Sequence, residues 1–121
     1  MNKSPSAARL ATFWLGAQAL WGALLGVSLQ SRAIELAPAT AILSYSYLAA
    51  VGAVVAAVVQ VAVGPWSDWR RRHGGKRLEF YVAGTAGGAV ALIAFYNAST
   101  FAALTAALIA LQATLNVAAG P

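Results

Sequence analysis

Several side chains inside long apolar runs have the types and spacing to recognise a neutral polar solute. Trp14, Gln18 and Trp21 fall at i, i+4 and i+7, which sets an amide between two indoles on one helical face. Gln112 and Asn116 stand four residues apart and share a face in the same way. Tyr45 and Tyr47, flanked by Ser44 and Ser46, add aromatic rings with hydroxyls. Flat rings stack on an apolar solute face, and amides exchange hydrogen bonds with hydroxyls. The same groups would serve equally to bond one helix to another without touching a solute. No Asp, Glu, Lys, Arg or His lies well inside these runs, so an embedded charge, the usual mark of ion or proton pathways, is missing from them.

The second chemical grouping is Gly64 to Arg77, Gly-Pro-Trp-Ser-Asp-Trp-Arg-Arg-Arg-His-Gly-Gly-Lys-Arg. It contains Asp68 and the cations Arg70, Arg71, Arg72, Lys76 and Arg77, with Gly64 before them and Gly75 among them. Each Arg or Lys costs roughly 2.5–3.5 kcal/mol at the centre of a bilayer on insertion scales. The stretch must therefore stay on the side where the chain is made. His73 is a lone imidazole among arginines, which points to a solvated loop rather than a metal site. Asn97-Ala98-Ser99 matches the glycosylation pattern but lies too tight against an apolar run to carry weight.

These groups need elements to hold them, and composition says which kind. Of 121 residues, 60% are hydrophobic and 9% charged, against roughly 25% charged in an average soluble domain. From Phe80 to Pro121 there is no Asp, Glu, Lys or Arg. Too few charges remain to cover a soluble surface, so the chain is an all-α integral membrane protein. The net charge of +5 does not indicate a nucleic-acid partner, because the cations cluster where the positive-inside rule explains them. With no Cys in the sequence, disulfide frameworks and thiol chemistry are excluded.

The apolar runs predict four transmembrane helices. Residues 1–9 form a short basic tail. The run 10–31 is too long for the apolar core of a signal peptide and is long enough to span. A short connection leads to a second span at 39–63, ended by Gly64-Pro65. The basic loop is expected over 64–79, the third span over 80–98, and the fourth over 101–120. Counting Lys and Arg by side gives Lys3, Arg9 and the five loop cations against Arg32 alone. Both termini and the basic loop are accordingly expected in the cytoplasm. Gly22/Gly26 and Gly84/Gly88 form G-x-x-x-G pairs, which let helix backbones approach closely.

The grouping of glycine, three residues, aspartate, basic cluster, glycine and further cations resembles the loop between the second and third spans of the major facilitator superfamily. Gly64 and Asp68 keep the first spacing, and Gly75-Lys76-Arg77 the end. The longer interval between them is similar to the glycoside-pentoside-hexuronide:cation symporters and the sucrose transporters. Asn116-Val-Ala-Ala-Gly120-Pro121 is similar to the close of the fourth helix in those branches. Two departures are Trp69 where an Arg is usual, and Leu78-Glu79 where Arg-Pro is usual. The resemblance implies a secondary carrier working by alternating access, with twelve helices in two bundles. This chain would supply the first four helices, and the missing C-terminal part of the transporter would be its partner. It further implies a small polar solute, a sugar or a relative of one, with or without a coupling cation. Gly64, Asp68, Arg70, Arg71, Arg72, Gly75, Lys76 and Arg77 would form a cytoplasmic gate, and Trp14, Gln18, Trp21, Tyr45, Tyr47, Gln112 and Asn116 a solute pathway. A multi-pass protein of the cell membrane, the inner membrane of a bacterium, follows. No cofactor or metal is implied.

Two other classes compete. A small four-helix multidrug exporter acting as a dimer suits the length, but such proteins rely on an embedded Glu where this chain has Gln18. A non-transporting membrane subunit held by helix packing is the other. An enzyme is not expected, because no intramembrane set of acid, base, nucleophile or metal ligands is present.

Overall fold

The computed structural model describes residues 6–119 and contains four helices long and apolar enough to cross a membrane. Among the described residues there is no strand. The tail residue Lys3 and the terminal Gly120-Pro121, used in the sequence reading, lie outside the described residues.

The first helix, α1, runs Ala7–Leu36. Ser6 caps it by accepting the Arg9 backbone N–H. It is α-helical over Ala7–Ala23, widens to a π-helical turn over Leu24–Ser28, and returns to α-helix over Leu29–Leu36. Its two halves differ sharply in packing. No residue of Ala7–Ala23 is buried, whereas Leu24, Leu29 and Ala33 are fully covered.

A 3-10 turn at Pro38–Thr40 leads into α2, Ala41–Arg72. This helix corrects the expected boundary at Gly64-Pro65. Pro65 lies inside the helix. Its missing N–H deprives the carbonyl four residues earlier of one bond, and its ring restricts the residue before it. That residue is Gly64, which has no Cβ to meet the ring. Helices in a membrane tolerate such a proline. The expected loop 64–79 is therefore reduced to the turn between Arg72 and Arg77. The real stop is Gly74-Gly75: Gly74 adopts φ +86°, and Gly75 donates to the Arg70 carbonyl at 2.9 Å. At 32 residues α2 is about 48 Å long, well beyond a hydrocarbon core of about 30 Å. Its arginine-bearing last turn has length enough to project out of the apolar zone.

The third helix, α3, is Arg77–Asn97, and α4 is Phe101–Ala119. Glu79 starts α3 by accepting the Lys76 N–H while donating its own N–H to the Lys76 carbonyl. Thr100 caps α4 through its hydroxyl on the Ala103 N–H. The two helices form a tight antiparallel hairpin, and α4 also packs along α2. Contact between α2 and α3 is slight, so α4 is the central helix.

Gly84, Gly87 and Gly88 line the α3–α4 seam. A Cβ at Gly84 would stand 2.5 Å from Ala118 N and 2.6 Å from Thr114 O, so only glycine admits this approach. The sequence expectation of a close-packed pair holds for Gly84/Gly88. It fails for Gly22/Gly26, where a Cβ would meet nothing within 4 Å. Gly64 is equally open. The hydrophobic core gathers Leu24, Leu29, Leu48, Phe95, Leu104 and Leu108, at the end away from the Asp68–Arg77 cluster. Ile42, Val58, Val61 and Val90 are among the large apolar side chains left exposed. A soluble fold would cover such groups, whereas lipid tails solvate them at no cost.

Candidate functional site

One cavity gathers four of the side chains singled out from sequence. Trp21 and Leu25 of α1, Tyr45, Ala49, Ala53 and Ala56 of α2, and Gln112 and Asn116 of α4 line an open-sided space of about 300 Å³. Each helix contributes through its own periodicity. Tyr45, Ala49, Ala53 and Ala56 recur at three- and four-residue steps, as do Gln112 and Asn116. The alanines keep that wall of α2 thin, which makes the space.

The amides are held in a network. Asn116 Nδ2 donates to the Gln112 backbone carbonyl at 2.7 Å and lies 3.3 Å from Gln112 Oε1. Gln60 Nε2 donates to Asn116 Oδ1 at 2.7 Å. Gln112 and Asn116 are 5% and 6% exposed, so unbonded amides there would be costly. Gly52 faces Gln112, and a Cβ there would come 2.9 Å from Nε2. Tyr45 donates its hydroxyl to the Leu25 carbonyl at 3.2 Å, inside the π-helical turn. Gln60 was not singled out by the sequence reading. The available signal was an amide in the apolar run of α2, at four-residue steps from Ala56 and Gly52.

Three expected pathway residues lie elsewhere. Trp14 and Gln18 sit on the unburied half of α1 and are exposed, with Trp14 edge-on to Phe13 at 5.9 Å. Their shared face with Trp21 is real, but only Trp21 is close enough to the π turn to reach the cavity. Tyr47 is exposed and tilts against Phe101 at 6.2 Å. Hydroxyls of Ser46, Thr105 and Thr114 are spent on carbonyls of their own helices. A second cleft of about 350 Å³ opens between the N-terminal half of α1 and the α3–α4 hairpin, beside Phe13, Tyr81 and Leu115.

The charged grouping forms a compact ionic cluster across the turn between α2 and α3. Arg77 reaches Asp68 Oδ1 at 3.3 Å, and Arg71 lies 3.9 Å from the same atom. Arg70 bonds Glu79 Oε2 at 2.7 Å. Among the described residues, Arg72 and Lys76 have no carboxylate partner within ion-pair distance. Gly75 is tight against Arg70, where a Cβ would stand 3.0 Å from the carbonyl oxygen. His73 stacks on Trp69 at 4.5 Å and bonds its carbonyl, a local helix-end contact. Asp68 is half exposed, so its pairs are worth about 0–1 kcal/mol each.

At the opposite end Arg32 pairs with Glu35 and donates to the Ala98 carbonyl, fastening α1 to the turn between α3 and α4. Ser28 and Tyr96 share a hydrogen bond of 2.6 Å beside it. Among the described residues no cluster of His, Cys, Asp or Glu could hold a metal ion. Compared with family models, curated proteins and solved structures, the chain matches none.

Proposed function

We propose that the chain forms the first four helices of a secondary carrier of the major facilitator type, moving a small neutral polar solute by alternating access. The observation that carries this reading is the cavity between α1, α2 and α4, with Trp21, Tyr45, Gln112 and Asn116 on its wall. An indole, a phenol and two amides around about 300 Å³ suit a hydroxylated solute of sugar size, and no carboxylate or cation lines the space. Ala53 and Gln60 are exposed, so this chain leaves one side of the cavity open, as half of a two-bundle pathway requires. The ionic cluster of Asp68, Arg71 and Arg77 matches the resemblance in its loop and supplies the gate. In this reading the arginine end faces the cytoplasm, as does the N-terminus.

Single cysteines test the reading directly, since the native chain has none. Charged thiol reagents react only with thiolates in contact with water. Ala53→Cys, on the cavity wall, should react in membranes, while Val58→Cys, on an exposed apolar face, should not. Equal inertness at both positions would mean the cavity face is dry, and the carrier reading would be lost.

Orientation is read with the same reagents. Ser99→Cys in the turn before α4 should be labelled in intact cells, and His73→Cys only after permeabilisation. Ala98, by contrast, is buried and unsuited to labelling. The reverse pattern would put the arginines outside and overturn the assignment.

A further inference from the structure

The amide network fixes which hydrogen-bonding groups the cavity can offer. Its anchor is the Gln112 backbone carbonyl, which can only accept. The Asn116 group 2.7 Å from it must therefore be the NH₂. This leaves Asn116 Oδ1 facing α2, and the Gln60 group 2.7 Å from it must be the donor NH₂. Asn116 Nδ2 also approaches Gln112 at 3.3 Å, and the atom meeting a donor there is Oε1. All three amide orientations follow from one carbonyl.

Two consequences separate the residues. Asn116 spends its oxygen on Gln60 and its nitrogen on Gln112, so it has little left for a solute. Gln112 Nε2 and Gln60 Oε1 have no hydrogen-bond partner among the described residues. Gln112 Nε2 is also not among the fully enclosed, unbonded side-chain atoms, so it borders open space. It lies against Gly52, the point on α2 where the missing side chain makes room. Gln60 stands one helical turn beyond the cavity-lining Ala56 and is exposed. Tyr45 has its O–H committed to Leu25, leaving lone pairs.

We propose that Asn116 is a positioning residue that turns Gln112 into a donor on the cavity wall and Gln60 into an acceptor beyond its edge, and that these two groups recognise separate hydroxyls of a neutral polyol or sugar. One hydroxyl accepts from Gln112 Nε2, another donates to Gln60 Oε1, and the Trp21 ring covers the carbon face. The solute class rests on the carrier reading; the positioning role does not.

The test uses side-chain amide signals of the full chain, ¹⁵N-labelled in phospholipid nanodiscs. The Gln112 NH₂ pair is identified by its loss in Gln112→Leu. In the native chain it should exchange rapidly with water. Asn116→Asp offers Gln112 only acceptor oxygens, so the Gln112 amide should turn, bond the introduced carboxylate, and exchange at least fivefold more slowly. Asn116→Leu releases both glutamines, and each NH₂ pair should broaden or split. Unchanged Gln112 signals in both variants would overturn the positioning role. D-glucose or glycerol, but not tetramethylammonium, should shift the Gln112 pair and the Trp21 indole N–H of the native chain. Native signals that ignore both polyols, with the variant effects intact, would remove the solute class and leave the positioning role standing.

Discussion

Replacing Gly84 by alanine should destabilise the α3–α4 hairpin severely, and replacing it by leucine should prevent recovery of a monodisperse folded protein. The added Cβ would fall 2.5 Å from Ala118 N and 2.6 Å from Thr114 O, both backbone atoms that move only if α4 moves. Overpacking typically costs about 1–3 kcal/mol and occasionally more; a clash with backbone belongs at the upper end. Gly88→Ala should cost less, because the atom it meets at 2.7 Å is the flexible end of Leu115. Gly22→Ala and Gly26→Ala meet nothing and should be neutral, or gain up to about 1 kcal/mol from helix propensity. Thermal unfolding in detergent, followed by size-exclusion, ranks the series. Equal losses at Gly22 and Gly84 would contradict the seam described for α3 and α4.

Asp68→Asn should leave abundance and thermal stability nearly unchanged while lowering uptake of a labelled neutral sugar at least tenfold in a carrier containing this chain. The first half follows from the structure. Asp68 is half exposed and its pairs with Arg77 and Arg71 are long, 3.3 and 3.9 Å, so losing them costs about 0–1 kcal/mol. The second half follows from the proposed gate. A tenfold rate change is about 1.4 kcal/mol of differential stabilisation between conformations, more than this surface pair supplies. An effect of that size would require Asp68 to gain partners, or desolvation, in another state of the carrier. Arg77→Gln removes the nearest cation and should show the same split in milder form, since Arg71 remains. Uptake at native levels by Asp68→Asn would reduce the cluster to a solvated helix end.

The four helices were legible because lipid imposes a simple rule on sequence: a spanning helix needs about 20 apolar residues. Their ends were less so. Pro65 reads as a stop in a general sequence, yet with Gly64 before it the helix continues through to Arg72 and turns at Gly74. The two G-x-x-x-G pairs are indistinguishable by pattern, but only Gly84/Gly88 meets a facing helix. Spacing correctly grouped Gln112 with Asn116, since both lie on one helix. It marks Gln60 as an amide in the apolar run of α2 but cannot pair it with Asn116, which is on another helix. Nor could it say that Trp14 and Gln18 would miss a cavity that Trp21 joins, because that depends on how far α1 departs from its neighbours.

The uneven packing of α1 has a mechanical side. Its C-terminal segment, Leu29–Leu36, is clamped by the buried Leu29 and Ala33 and by the bonds of Arg32, and is about 12 Å long. Its N-terminal segment, Ala7–Ala23, has no fully buried residue and extends about 25 Å. Between them lies the π turn, where Tyr45 grips the Leu25 carbonyl on the cavity wall. This is a lever with a short fixed arm, a long free one, and its fulcrum at the cavity. A bend of about 10° at Leu24–Ser28 would sweep the far end of the long arm by roughly 4 Å, taking the helical rise as the scale. Such a hinge would turn a change the size of one hydrogen bond beside Trp21 into a movement wider than a water molecule at the N-terminal end of α1.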